Sequence, residues 1–219
     1  MTGPRLVILG KQGAGKGTQA ERLARYFGVP RVSTGDMFRA AVEAGTESGL
    51  QAKHYMEAGE LVPDDIVIKI VHDRLEEKDA MDGFVLDGFP RTAQQAKALD
   101  SVLGERGVDL VVELQVPTEV VLRRLEARRV CMSCGAPYSP EHPPKKDDIC
   151  DNCGGKVVQR QDDTATAIKR RLALYAERTE PLVAYYMAQD RLAPVDGTGD
   201  VDVVTARLLR GIESRLTRN

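Results

Sequence analysis

The sequence lacks a long hydrophobic segment, an excess of charge of either sign, and cysteine outside one short stretch. No run approaches the roughly 18 uninterrupted apolar residues that would span a bilayer. The N-terminal residues also lack the apolar region and small-residue cleavage site of a signal peptide. The 31 basic and 33 acidic side chains nearly cancel, which gives no overall reason to expect a nucleic-acid binder. These absences predict a cytoplasmic protein whose partners are neither membranes nor nucleic acids.

What is present is the composition of a globular chain and a regular alternation of two kinds of segment. Hydrophobic residues make up 42% and charged residues 29% of the 219 residues, which suits one core with room for insertions. Short apolar runs predict strands at 5–9, 83–87, 110–114 and 193–196. Helical spacing predicts helices at 92–103, 118–129, 164–189 (bent at Pro181) and 201–216. The alternation predicts an α/β fold, a doubly wound parallel sheet with helices on both faces.

Two segments interrupt this alternation. Residues 33–62 read as a small helical insertion, and residues 130–160 are rich in Cys, Pro, Asp and Gly without a helical period. Each follows a sheet element, so we expect both to cover the carboxyl edge of the sheet, where ligands of open α/β folds bind. The core would then comprise residues 1–32, 63–129 and 161–219.

A glycine-rich loop follows the first predicted strand. Gly10 to Lys16 fits the phosphate-binding spacing G-x-x-x-x-G-K, whose glycines let backbone N–H groups turn inward around a phosphate chain. Lys16 would place its charge on the β and γ oxygens. Gly17 stands where a magnesium-binding hydroxyl is usual, and the hydroxyl comes one place later at Thr18. The alternative, a glycine turn with no ligand, is disfavoured by the strand before it and the helix after it.

A second informative run extends from Phe84 to Gln95. An apolar strand ends there in Asp87, where a rigid strand would hold a magnesium-side carboxylate beside the phosphate loop. Arg91 lies just beyond and can reach a phosphate group. The alternatives are a capping role for Asp87 and a surface ion pair for Arg91.

The four cysteines form two C-x-x-C pairs. Their spacing, with residues 135–149 between the pairs, matches a zinc ribbon or knuckle, and the ligands would be Cys131, Cys134, Cys150 and Cys153. Disulfides are the rival interpretation, which a reducing compartment disfavours. Four thiolates leave no open coordination position, so we expect a structural and not a catalytic Zn²⁺. A ribbon that binds nucleic acid is disfavoured because Asp147, Asp148 and Asp151 stand against Lys145 and Lys146, and Tyr138 is the one aromatic residue of the segment.

The run from Phe84 to Gln95 resembles the signature of the adenylate kinases, within the nucleoside monophosphate kinase family. The likeness continues in the expected order at Ser33–Arg39, Gly59–Val62, Arg128–Arg129, Arg160–Asp163, Arg170–Arg171 and Asp196–Thr198. The resemblance implies a monomeric, Mg²⁺-dependent enzyme that converts ATP and AMP into two ADP, of the bacterial type with a long zinc-bound lid. A kinase for CMP, UMP or GMP is the alternative, and Thr34 favours AMP because uridylate/cytidylate kinases tend to carry Ala there. A GTPase-type switch is disfavoured because the chain has no N-K-x-D segment.

The resemblance also implies a role for individual residues, with 33–62 as the AMP-binding insertion and 130–160 as the lid. The residues implied in phosphoryl transfer are Lys16, Arg91, Arg124, Arg128, Arg160 and Arg171. Those implied in ATP binding are Gly13, Ala14, Gly15, Lys16, Gly17, Thr18, Arg128, Tyr138 and Gly199. Those implied in AMP binding are Thr34, Arg39, Glu60, Leu61, Val62, Gly88, Phe89, Pro90, Arg91, Gln95, Arg160 and Arg171. Asp87 would lie on the magnesium side.

Overall fold

A computed structural model describes residues 3–140, 142–160 and 162–217. Residues 1, 2, 161, 218 and 219 of the predicted core and residue 141 of the predicted lid lie outside the described residues. The strands are β1 (Arg5–Leu9), β2 (Arg31–Ser33), β3 (Phe84–Asp87), β4 (Leu110–Gln115), β5 (Arg129–Cys131), β6 (Pro137–Tyr138), β7 (Val157–Gln159) and β8 (Leu192–Asp196). The helices are α1 (Lys16–Phe27), α2 (Thr34–Glu43), α3 (Glu47–Ala58), α4 (Asp64–Leu75), α5 (Ala93–Leu103), α6 (Thr118–Ala127), α7 (Ala165–Leu174), α8 (Pro181–Met187) and α9 (Val201–Leu216).

Five strands form a central parallel sheet in the order β2-β3-β1-β4-β8. Successive residues of β1 point to opposite faces, as the period of two requires. Val7 therefore joins a core with α4, α5 and α8, whereas Ile8 joins a core with α1, α6 and α9. Helices cover both faces, and the predicted α/β fold class is confirmed. Among the described residues, no helix combines the length and apolarity that a membrane crossing requires.

The sheet register places chemistry at one edge. Asp87 at the end of β3 pairs with Ile8 of β1 on one side and with Ser33 of β2 on the other. Because parallel strands end at the same edge, the phosphate loop, Asp87 and the start of α2 meet there.

Several elements differ from the sequence-based expectation. Strand β2, helix α4 and the strands of residues 130–160 had no predicted counterpart, and Ser33 ends β2 in the central sheet before capping α2. The helix predicted over 164–189 is interrupted by a π-helical turn at Tyr175–Thr179, after which α8 begins at Pro181. Proline has no N–H to donate to the preceding turn, so the irregular turn falls just before it.

The two segments that interrupt the alternation have different internal structure. Helices α2 and α3 pack against each other, and Phe38 and Ala52 bury their side chains in the core beside the sheet. Residues 129–159 hold a three-stranded antiparallel sheet, β6-β5-β7. Its own buried cluster is small, consisting of Cys131, Cys150 and Val157.

Candidate active site

The glycine-rich loop joins β1 to α1. Gly15 precedes the helix with a positive φ of 99°, a backbone conformation that favours glycine. A Cβ at Gly13 would lie 2.7 Å from Cγ of Leu125, so only glycine lets α6 approach the loop. The Lys16 ammonium donates to the carbonyl oxygens of Gly10 at 2.7 Å and Lys11 at 2.9 Å. Burial lowers the pKa of Lys16 to about 8.

Asp87 lies beside this loop and forms an ion pair with Arg31, which was not predicted from the sequence. The Arg31 guanidinium donates to Asp87 Oδ2 at 2.8 Å and reaches Asp36 Oδ2 at 2.9 Å. Burial alone would lower the pKa of Arg31, but the two carboxylates outweigh it and the net shift is upward. A Cβ at Gly17 would lie 3.4 Å from Asp87 Oδ2 and 3.2 Å from Arg31 Nη2, so a larger residue would crowd this ion pair.

A second polar group lies beyond Asp87, where Thr34 and Gln95 come together around residues 88–91. Thr34 donates to the Gly88 carbonyl at 3.0 Å, and Arg91 Nε donates to the same oxygen at 2.8 Å. The Gln95 side chain accepts from the Arg91 backbone N–H at 2.7 Å. Thr34 and Gln95 are both buried, and the hydroxyl of the one and the amide oxygen of the other each contact a protein partner.

Five predicted arginines lie close enough to influence one another. Burial lowers the pKa of Arg91, Asp87 offsets part of that shift, and neighbouring guanidinium groups lower the pKa further. Those neighbours are Arg39, Arg160 and Arg171. Arg128 is affected in the same way, by burial and then by Arg160. The structure therefore brings together cations from four separate parts of the chain.

Two aspartates hold three of these arginines. Asp162 accepts from Arg160 at 2.9 and 3.0 Å and from Arg171 at 2.8 Å. Asp163, whose side chain has no exposed surface, accepts from Arg128 at 2.6 and 2.8 Å. Burial by itself would raise the pKa of Asp162, but the two guanidinium groups hold it well below its usual range. Protein carboxylates thus orient these three guanidinium groups.

The other predicted residues lie around this centre. Arg124 donates to the carbonyl oxygens of Ala14 and Gly197, each at 3.3 Å, so it braces the loop. Arg39 pairs with Asp36 on α2. Half-buried Thr18 lies in the first turn of α1, and Gly199 precedes α9. Among the predicted AMP-side residues, Val62 and Phe89 bury their side chains in the core beside the sheet, and Leu61 is half-buried. Pro90 follows Phe89 in a cis peptide.

Glu60 makes a contact across the molecule. It accepts from Arg170 of α7 at 2.6 and 3.0 Å, and Arg171 donates to the Met56 carbonyl at 2.7 Å nearby. Both partners of the Glu60–Arg170 pair are substantially exposed, so the pair contributes little to stability. It does connect the end of α3 to α7.

The four cysteine sulfurs form one cluster. All lie within 4.8 Å of one another, and Cys131 and Cys153 are 3.5 Å apart, as are Cys134 and Cys150. A disulfide would need about 2.05 Å, whereas sulfurs about 2.3 Å from one Zn²⁺ form tetrahedral edges of about 3.8 Å. The Tyr138 hydroxyl donates to Cys150 Sγ at 3.3 Å and lowers the pKa of that thiol to about 6. The donor set therefore fits a tetrahedral metal ion, as the spacing predicts.

Comparisons with known proteins agree on one family. The sequence model of the family described as adenylate kinase matches residues 8–191. The chain is 50% identical over 202 residues to the adenylate kinase of Methanosarcina mazei, covering 91% of this chain and 94% of that protein. It is 51% identical over 213 residues to that of Salinispora tropica, covering 96% and 98%. It is 46% identical over 214 residues to that of Geobacillus sp. strain WCH70, covering 95% and 99%.

Proposed function

The chain belongs to the adenylate kinase family, and from that premise we propose how its residues carry out the reversible transfer of the terminal phosphoryl group of ATP to AMP, which gives two ADP. The observation that carries the proposal is the convergence of one lysine, one strand-end carboxylate and five arginines at the carboxyl edge of the sheet. Phosphoryl transfer needs alignment and positive charge more than covalent help from the protein, and this edge supplies both.

The ATP side is the loop from Gly13 to Thr18. Its backbone N–H groups and the N-terminus of α1 would surround the phosphates, with Lys16 at the β and γ oxygens. Mg²⁺, when bound with ATP, neutralises charge between the phosphate groups, and Asp87 is the carboxylate that would stand on its side. Arg128, Tyr138 and Gly199 complete this side of the proposal.

Raising the pH through about 8 is expected to lower kcat/KM for ATP. Below its pKa Lys16 carries the positive charge that phosphates require, and above it the free enzyme loses that charge. Phosphate groups are already ionised in this range. Because bound phosphates favour the charged lysine, kcat measured at saturation should decline only at higher pH. A kcat/KM that stays constant from pH 7 to about 9.5 would contradict this reading.

Replacing Arg31 with glutamine is expected to lower the Mg²⁺ concentration that gives half-maximal velocity at fixed ATP. Arg31 neutralises Asp87, so its removal frees the carboxylate for a cation. We expect this Mg²⁺ midpoint to fall by about tenfold, which corresponds to about 1.4 kcal/mol of repulsion relieved between Arg31 and the cation. Arg25→Gln on the exposed face of α1 is the matched control. An unchanged Mg²⁺ midpoint in Arg31→Gln would count against the role of Asp87.

The AMP side lies around α2 and residues 88–95. Arg39 would hold the α-phosphate, with Arg91, Arg160 and Arg171 between the two nucleotides. Gln95 would read the adenine edge, supported by Thr34 and by backbone groups at residues 60–62 and 88–90. No general base is needed, because the attacking oxygen belongs to an ionised phosphate.

The cysteine cluster would hold a structural Zn²⁺. Four sulfurs fill a tetrahedral shell, and the segment they close buries too little apolar surface to fold by itself.

Closure of this lid and of α2–α3 would exclude water, the competing acceptor. A monomeric enzyme is part of the proposal, as the expectation for the family. Free thiols at all four positions suit the reducing cytoplasm.

The substrate choice is tested directly. ATP–Mg²⁺ is mixed in turn with AMP, CMP, UMP and GMP, and formation of ADP is followed. We expect AMP to give by far the highest kcat/KM. Preference for another monophosphate would overturn the proposed acceptor, and no transfer to any of them would overturn the proposal as a whole.

A further inference from the structure

The Gln95 amide is held at both ends by groups that accept only one orientation. Its Oε1 accepts from the backbone N–H of Arg91 at 2.7 Å, and its Nε2 donates to Asp64 Oδ1 at 2.7 Å. A backbone N–H cannot accept a hydrogen bond, and a carboxylate cannot donate one. Turning the amide over would set donor against donor and acceptor against acceptor.

Gln95 also has hydrogen-bonding capacity left over. A side-chain amide offers two N–H donors and two lone pairs on its oxygen. One of each is used by these contacts, and among the described residues no other side-chain partner of Gln95 is found. The residue is only 2% exposed, so water does not readily supply the missing partners. The amide can therefore offer one further acceptor position and one further donor to a ligand.

We infer that Asp64 is a specificity-determining positioning residue, which locks the Gln95 amide so that it presents an acceptor and a donor in the order that a 6-aminopurine requires. Adenine offers its exocyclic N–H donor beside a ring-nitrogen acceptor, which matches the free lone pair of Oε1 and the free N–H of Nε2. A 6-oxopurine places an acceptor where adenine has its donor. The locked amide then sets oxygen against oxygen. This inference rests on the proposed role of Gln95 at the AMP base.

Asp64 is well placed for this role. It lies in the first turn of α4, and its second oxygen accepts from Thr92 Oγ1 at 2.8 Å. Thr92 in turn caps α5 and accepts from the Gln95 backbone N–H at 3.1 Å. The carboxylate is therefore itself fixed by a hydroxyl that belongs to the same helix as Gln95. The lock joins α4 to α5 across residues that are 31 positions apart.

The test compares AMP with IMP, which differ at the purine 6 position and the adjacent ring nitrogen. In Asp64→Asn the isosteric side chain can donate as well as accept, so the Arg91 N–H is the one contact that still opposes turning the Gln95 amide over. We expect the ratio of kcat/KM for AMP to that for IMP to fall by about tenfold or more relative to wild type. Asp65→Asn removes the same charge from an exposed neighbour in the same helical turn and should leave the ratio unchanged.

Thr92→Val separates positioning from stability. It removes the helix cap and one contact of Asp64 but leaves the carboxylate on Gln95, so its melting temperature should fall while the AMP/IMP ratio falls much less than in Asp64→Asn. Equal losses for AMP and IMP in Asp64→Asn would overturn the lock. If that variant fails to fold by circular dichroism, Asp64→Ser, whose hydroxyl also donates or accepts, carries the same expectation. A wild-type enzyme that does not phosphorylate AMP would instead contradict the proposed function.

Discussion

Replacing Lys16 with methionine is expected to lower kcat/KM by about 10³-fold. The Lys16 ammonium is held on two carbonyl oxygens of the phosphate loop. Loss of one electrostatic contact to a transferring phosphoryl group typically lowers the rate by about 10²–10³, and some cationic groups contribute more. Methionine keeps most of the length and apolar bulk of the side chain. The folded structure, measured by far-UV circular dichroism, should therefore be retained. Initial rates in both directions of the reaction provide the measurement.

Lys11→Met is the matched control, because Lys11 belongs to the same loop. Its ammonium donates to Thr118 Oγ1 at 3.0 Å and to the Val116 carbonyl at 3.4 Å, whereas that of Lys16 donates to carbonyl oxygens of the loop itself. We expect its rate to stay within a few-fold of wild type. Comparable losses in the two variants would show that the loop needs positive charge in general and not at Lys16 in particular.

Replacing Cys150 with serine is expected to abolish metal binding and disorder the lid while the core stays folded. The lid sheet buries only three residues of its own, whereas structural Zn²⁺ sites provide about 10 kcal/mol or more of apparent binding energy in small domains. Metal content should fall from one Zn²⁺ per chain to near zero, and proteolysis should become faster within 129–159. We expect kcat/KM for ATP to fall by about tenfold or more.

Met132→Ala provides the comparison for the cysteine variant. Met132 lies between the two cysteines of the first pair, and its side chain is exposed, so its truncation leaves all four thiols. It should keep its metal and its resistance to proteolysis. A metal-free Cys150→Ser protein whose lid is cleaved no faster than that of wild type would contradict a structural role. Purified wild-type protein that contains no metal would contradict the site itself.

Local patterns were sufficient for the parts of the site that are contiguous in sequence. The loop from Gly10 to Lys16 needs only a strand, three glycines and a helix in succession, and the structure has them in that order. The two C-x-x-C pairs behave similarly, since each pair contributes one edge of the sulfur cluster. Asp87 lies at the end of its strand, as an apolar run that stops at a carboxylate predicts.

Other features depend on residues that are far apart in the chain. Arg31 carries no motif that marks it, yet it is 56 positions from the carboxylate it neutralises. Asp64 begins a helix that was not predicted, and nothing near it in the sequence indicates the glutamine it holds. The three strands of the lid were missed because they are only two or three residues long and show little alternation. The lower pKa of Lys16 follows from burial, which no short pattern reports.

The amino-acid sequence alone determined the family, the α/β class, the phosphate loop and the metal-binding cysteines, because each is encoded by residues at short, regular spacing. Only the tertiary structure decided which acid neutralises which base around the candidate site. It also decided which way the Gln95 amide faces. Both depend on distances of about 3 Å between side chains from separate strands and helices, and those distances exist only once the sheet has aligned its carboxyl edge.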